Sequence, residues 1–229
     1  MERESCMFNF LDIGQLILWL PAVLIALTFH EYAHGLVADW LGDPTPRYQG
    51  RLTLNPLVHL DPLGFILLLL VHFGWAKPVQ VNPLNFRGDR YRGMVLVGLA
   101  GVSMNLLVAF TATLVARLAG VADATIAALE GISPATTGYL PAILAGIIVI
   151  DIYLALFNLI PIPPLDGAQV LAGLLRRSDL VYTLQRYGFI ILIVLIFTGV
   201  VGDVLIPVTN VIINLLSLIS FGIAHLVGM

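Results

Sequence analysis

The feature that most constrains this chain is a succession of long apolar runs, at residues 16–29, 94–118, 140–160, 189–201 and 204–227. The first of them continues helically to about Leu41, where Gly42 and Pro44 stop it. About 20 apolar residues in a helix cross the hydrocarbon core of a bilayer. Hydrophobic residues make up 59% of the 229 and charged ones 11%, whereas an ordinary globular domain carries about a quarter charged residues. The mean hydropathy of +0.97 points the same way. The expected fold is an all-α polytopic membrane protein with about five transmembrane helices. No stretch is polar and long enough for a separate soluble domain, so residues 1–229 read as one membrane-embedded domain, with C-terminal helices over 187–228.

One further apolar run, residues 63–75, is too short to span and reads as a re-entrant segment. Charge supports this. Arg47 and Arg51 precede it, and Lys77, Arg87, Arg90 and Arg92 follow it. Re-entry keeps all of them on one side of the membrane, as the positive-inside rule prefers. Arg176, Arg177 and Arg186 fall on that same side, so nine of the 11 basic residues are inside, with Arg3 and Arg117 outside. This arrangement expects a multi-pass protein of the cell (plasma or inner) membrane with its N-terminus outside. Residues 119–138 carry Asp123 and Glu130 without a basic residue and fit the outer side as a short surface helix. The acidic N-terminus (Met1 to Asp12) is unlike a signal peptide, and the first run reads as a retained helix. Cys6 is the one cysteine, so no internal disulfide forms and the redox compartment is undetermined. No basic cluster points to nucleic acid.

Inside the first helix stands His30-Glu31-Tyr32-Ala33-His34. Residues four apart share a helix face, so both histidines can turn a ring nitrogen toward one metal ion. Glu31 is placed to act as general base on water at that metal. Chance core histidines are the alternative, which the cost of three ionisable side chains within an apolar run disfavours. At about 1.5 Å per residue, His30 lies roughly 20 Å beyond Leu16, within a hydrocarbon core of about 30 Å. The site is therefore expected inside the membrane, toward the cytoplasmic side. A catalytic zinc usually keeps three protein ligands, and the candidates for the third are Asp39, Asp61, Asp151, Asp166 and His59. Asp166 is preferred because it follows a helix end broken by Pro161, Pro163 and Pro164, and non-helical backbone at membrane depth is tolerated only against protein or a cavity. The alternative is that it caps the helix that follows, 166–175.

His30-Glu31-Tyr32-Ala33-His34 together with Leu165-Asp166-Gly167 resembles the site-2 protease family of intramembrane zinc metalloproteases. Leu54-Asn55-Pro56, His59, Asp61-Pro62, Gly64 and Gly74-Trp75-Ala76-Lys77-Pro78-Val79 look like its short prokaryotic subgroup, which has neither a PDZ nor a CBS domain. The resemblance covers residues 24–175. It implies one Zn2+ per chain held by His30, His34 and Asp166, with Glu31 as general base. It also implies that Asn158 steadies the scissile carbonyl or its oxyanion; a polar link between helices is the other reading of Asn158. Gly101-Val102-Ser103-Met104-Asn105 is similar to the family's Gly-x-x-x-Asn signature, with Val102 where a proline is usual. Gly98, Gly101, Ser103 and Asn105 also read as small residues that allow close helix approach.

The remaining polar residues read more plainly. His59 and Asp61 either stand behind the ligands or, as preferred, anchor the turn into the re-entrant segment. Lys77 snorkels to the headgroups, Trp40, His72 and Trp75 are interfacial or packing residues, and His225 is incidental. The expected activity is hydrolysis of peptide bonds in or next to transmembrane segments of membrane proteins. A helical substrate must first unwind, and the re-entrant segment with the loop over 55–64 offers an edge for it to pair with. A transporter with midplane ionisable residues is the competing class, disfavoured because no internal repeat is present and the ionisable residues have peptidase spacing. A catalytically dead binder of membrane helices is disfavoured by the intact His30, Glu31, His34 and Asp166. Substrate identity and oligomeric state are not readable from the sequence.

Overall fold

A computed structural model describes residues 13–71, 74, 76–131, 133–176 and 178–226. Arg3, Cys6, His72, Trp75, Arg177 and Val227 lie outside the described residues. The described chain is helical, without a strand. In order it runs α1 (Ile13–Trp40), α2 (Thr45–Tyr48), α3 (Pro56–His59), α4 (Pro62–Val71), a 3-10 turn (Pro83–Asn85), α5 (Arg90–Leu118) and α6 (Ala122–Leu129). It continues with α7 (Pro134–Thr137), α8 (Tyr139–Asn158), α9 (Asp166–Leu175), α10 (Asp179–Phe197) and α11 (Val200–Leu226). Five of these, α1, α5, α8, α10 and α11, are long and apolar enough to cross a membrane.

α5 stands at the centre and packs against α1, α8 and α9. Its buried side is a stripe of small residues, Gly93, Gly98, Gly101, Ala109, Ala112 and Ala116, interrupted by Val97, Val102 and Asn105. Ser103 faces outward and is no part of that contact. Small side chains let helix backbones approach closely where lipid supplies no hydrophobic drive. Ala109, Ala112 and Ala116 accordingly seat Leu144, Ile148 and Ile152 of α8.

α4 is 10 residues long, about 15 Å at helical rise and half a bilayer core. The chain leaves and returns at one level: Leu60 and Ala76 pair as an isolated antiparallel bridge, and the Lys77 N–H donates to the His59 carbonyl at 2.8 Å. This is the geometry expected of a re-entrant segment. The loops on that side are knotted by Asp43, which is fully buried and accepts from the Thr45 hydroxyl and N–H, the Asn82 N–H and the Asn85 amide. Arg51, also buried, donates to the carbonyls of Val58 and Lys77.

The C-terminal pair differs from the expected boundaries. α10 begins at Asp179, capped by the Ser178 hydroxyl on the Val181 N–H, so the polar stretch before Phe189 is helix rather than loop. The turn to α11 lies at Gly199, whose φ of +79° suits glycine. Gly202 and Asp203, which separate the apolar runs 189–201 and 204–227 and so read in the sequence as the turn between them, are already helical within α11.

Candidate metal centre

α1 carries His30 and His34 one turn apart, and α9 starts at Asp166, which the Pro161–Pro164 stretch delivers across from them. The three are the described group of His, Cys, Asp or Glu side chains close enough to hold one metal ion, and all three are buried. His30 Nε2 lies 3.0 Å from Asp166 Oδ2 and His34 Nε2 lies 3.1 Å from it. The two Nε2 atoms are 3.0 Å apart. Four ligands at about 2.0–2.1 Å from zinc stand roughly 3.3 Å from one another in a tetrahedron. The triangle matches one face of it to within a few tenths of an ångström.

The ring tautomers make this a cation site. His30 Nδ1 faces Asn105 Oδ1 at 2.7 Å, and His34 Nδ1 faces the Val97 carbonyl at 2.8 Å. Both partners only accept, so each Nδ1 carries the proton and donates. Both Nε2 atoms are then lone pairs, turned on each other and on Asp166 Oδ2, which has no donor of its own. One added proton can satisfy a single pair among the three. One divalent cation satisfies all of them, and two imidazoles with a carboxylate are a catalytic zinc donor set. The residues present therefore fit zinc.

The backing of the site explains the Gly-x-x-x-Asn signature. A Cβ on Gly101 would stand 2.6 Å from His30 Cε1 and 2.6 Å from His34 Nε2, so glycine there is what lets the rings lie against α5. Asn105, one turn on, holds the His30 ring. Val102 in place of proline leaves α5 continuous. Gly167 has a parallel role, since its Cβ would collide with the Leu159 carbonyl oxygen. Asp166 does not cap α9: Leu165 is the cap residue and no side chain bonds there.

Glu31 is buried and its Oε2 accepts from the Val79 N–H at 2.9 Å, which fixes the carboxylate beside the chain returning from α4. Asn158 ends α8 with its Nδ2 donating to the Leu154 carbonyl at 3.0 Å, a bond within its own helix. The other candidates for a third ligand are engaged elsewhere. Asp39 pairs with Arg47, Asp61 accepts from the Gly64 N–H at the start of α4, and the His59 ring donates from Nε2 to the Thr53 carbonyl. Asp151 bonds Asn105 rather than the metal group. Lys77, Trp40 and His225 are exposed.

One contact and one cleft beside Asp166 have no clear mark in the sequence. Gln169 donates from Nε2 to Asp166 Oδ1 at 3.2 Å, the kind of bond that orients a ligating carboxylate. Its signal was only its place three residues beyond Asp166 on one helix face. A cleft of about 860 Å³ opens between α5, α9 and the start of α10, and Leu165 and Gln169, the flanks of Asp166, line it.

A protein of Bacillus subtilis named "Putative zinc metalloprotease YwhC" is 39% identical over 191 residues, 82% of this chain and 84% of that protein. Peptidase family M50 matches residues 121–199. This chain belongs to peptidase family M50. Membership in that family, the site-2 proteases, makes it a zinc metalloprotease with protein substrates, and its five apolar helices make it a multi-pass membrane protein. Other M50 relatives lie further away. "Putative zinc metalloprotease Rip2" of Mycolicibacterium smegmatis is 29% identical over 81% of this chain and 69% of its own length. Its namesake in Mycobacterium tuberculosis (strain Erdman) is 28% identical over 71% and 59%. The M50 relatives lend the transport alternative no support, and no solved structure matches.

Proposed function

We propose that this M50 peptidase hydrolyses peptide bonds in or next to transmembrane segments of other membrane proteins. In this reading His30, His34 and Asp166 hold one zinc, and Glu31 and Asn158 act on the substrate. The observation that carries it is the convergence of three buried lone pairs within 3.1 Å, two on the membrane-length helix α1 and one at the start of the short α9. Zinc bound there supplies a Lewis acid and lowers the pKa of water from 15.7 to about 7.

The chain's own groups do the rest. The Val79 N–H holds Glu31 by Oε2, which leaves Oε1 to take a proton from water and later deliver it to the leaving amine. Asn158 turns its amide from Leu154 toward the oxyanion as charge develops there. Gln169 and Asn105 keep Asp166 and His30 in place. The polypeptide on either side of the Leu60–Ala76 bridge offers backbone groups to an unwound substrate. The single domain lies in the cell membrane with its N-terminus outside and the site toward the cytoplasm, an orientation supported by the nine basic residues on one side.

The experiment is a comparison of membrane proteomes from a host expressing wild-type enzyme or Glu31→Gln. The variant should keep zinc and accumulate uncut membrane-embedded fragments that wild type removes. Equal fragment patterns, or turnover restricted to soluble proteins, would contradict the proposal.

A further inference from the structure

Asp151 is an acidic residue in the middle of an apolar span, fully buried in α8, and it is not one of the converging ligands. Its Oδ1 accepts from Asn105 Nδ2 at 2.8 Å, while its Oδ2 has no partner. Asn105, fully buried as well, also donates from Nδ2 to the Ala26 carbonyl at 3.3 Å and presents Oδ1 to His30 Nδ1 at 2.7 Å. A carboxylate, an amide and an imidazole thus run in one chain from α8 through α5 to α1. We infer that Asp151 is a positioning residue of the metal centre: through Asn105 it fixes the tautomer that turns His30 Nε2 to the metal as a lone pair. This rests on His30 being a zinc ligand.

The physical argument lies in the asymmetry of the amide. The two orientations of an asparagine side chain have nearly the same shape and differ in which end donates. Flipped, Asn105 would set its oxygen against the Asp151 carboxylate and the Ala26 carbonyl, and its N–H against the Nδ1–H of His30. The Ala26 bond is the longer of the two, so Asp151 supplies the stronger preference. With the amide released, His30 can carry its proton on Nε2, directed at Asp166, where it competes with a metal. Partners standing behind ligating histidines commonly set metal affinity in this way. A structural purpose alone would be met better by an apolar side chain, because an ionisable group in a membrane helix is costly and here one oxygen goes unpaired.

The test is zinc affinity, measured by competition with a chromophoric chelator on metal-stripped protein in detergent, beside thermal melting of the apo forms. Asp151→Leu should weaken zinc binding by about 10- to 100-fold while the apo-protein melts at the wild-type temperature or above it. Asp151→Asn, whose amide can accept from Asn105 or, after a flip, donate to it, should fall between wild type and Asp151→Leu. Asn105→Leu should lose at least as much as Asp151→Leu, and combining the two should cost nothing further. Wild-type affinity in Asp151→Leu, or a loss that adds to that of Asn105→Leu, overturns the inference. So does a melt that falls in step with the affinity, or failure of both Asp151→Leu and Asp151→Ala to fold, since either marks a structural role. His30→Ala separates the premise from the inference: undiminished zinc there strikes the ligand assignment, whereas an indifferent Asp151→Leu beside a damaged His30→Ala strikes only Asp151.

Discussion

α1, α5 and α8 on one hand and α10 and α11 on the other are all apolar enough to cross a membrane yet are packed in opposite ways. In the first three, 44%, 39% and 44% of the spanning window is buried within the chain, against 17% in each of the last two. The packed helices meet through Ala22, Ala26, Ala33, Gly101, Ala109 and Ala112, and Gly98 lies against α9. The outer pair shows Phe189, Phe197, Leu218 and Phe221 on its surface. Apolarity therefore tells that a helix belongs in lipid, and small residues tell which helices belong to each other. The metal group, Glu31, Asn105 and Asp151 all sit on the packed helices or on α9 against them. The outer pair contributes one wall of a cleft and none of the buried acid or imidazole groups.

Substituting glycine in each region sharpens this contrast. Gly101→Val should displace both imidazoles and cost at least about 100-fold in zinc affinity and activity together. An undiminished metal titration would break the account of α5 as the backing of the site. At the outer edge, Ala172→Trp narrows the cleft between α9 and α10. Cleavage of a membrane substrate should slow several-fold with zinc content unchanged, and cleavage at the wild-type rate would show the cleft to be idle. Below the packed core, Asp43 gives a pH effect. Burial raises its carboxyl, but the bonds from Thr45, Asn82 and Asn85 outweigh that and hold it below the ordinary carboxylate value. Its stabilisation of the loop knot is complete above the unfolded value near pH 4 and fades as pH falls through the lower folded value. Hydrogen exchange at the Thr45 and Asn82 amides should quicken over that acid window and stay flat above it; exchange that quickens toward neutral pH would contradict the sign. The smallest effect is expected of Gly222→Ala in α11, where the added methyl meets nothing within 4 Å. It should stabilise by about 0.5–1 kcal/mol and leave activity untouched, so a loss of activity would bring the outer pair into the site.

The same contrast explains what was legible in the sequence. Run length revealed the spans, because a bilayer imposes it on each helix separately. His30 and His34 were legible because their relation is local to one helix, and the proline-broken approach singled out Asp166. Run length failed at α10, where the helix of spanning length begins at Asp179 and includes the mixed polar stretch to Tyr187 ahead of the apolar run, and at Gly199, because apolar flanks hide which of two glycines turns the chain. The resemblance brought Gly101 and Asn105 forward without their reason, which is contact with rings 71 and 75 positions away. Asp151 is legible in the sequence only as a candidate for the third ligand; its role depends on α8, α5 and α1 meeting at one point, which no single segment encodes. For Asn158 the structure gives a bond within its own helix, and its catalytic role stands as part of the proposal.

The most direct measurement is metal content by elemental mass spectrometry on detergent-purified protein, wild type beside Asp166→Ala. The account predicts about one zinc per chain in wild type and its loss, or a sharp weakening under chelator challenge, in the variant. Zinc retained undiminished by Asp166→Ala, or absent from carefully prepared wild type, would contradict it.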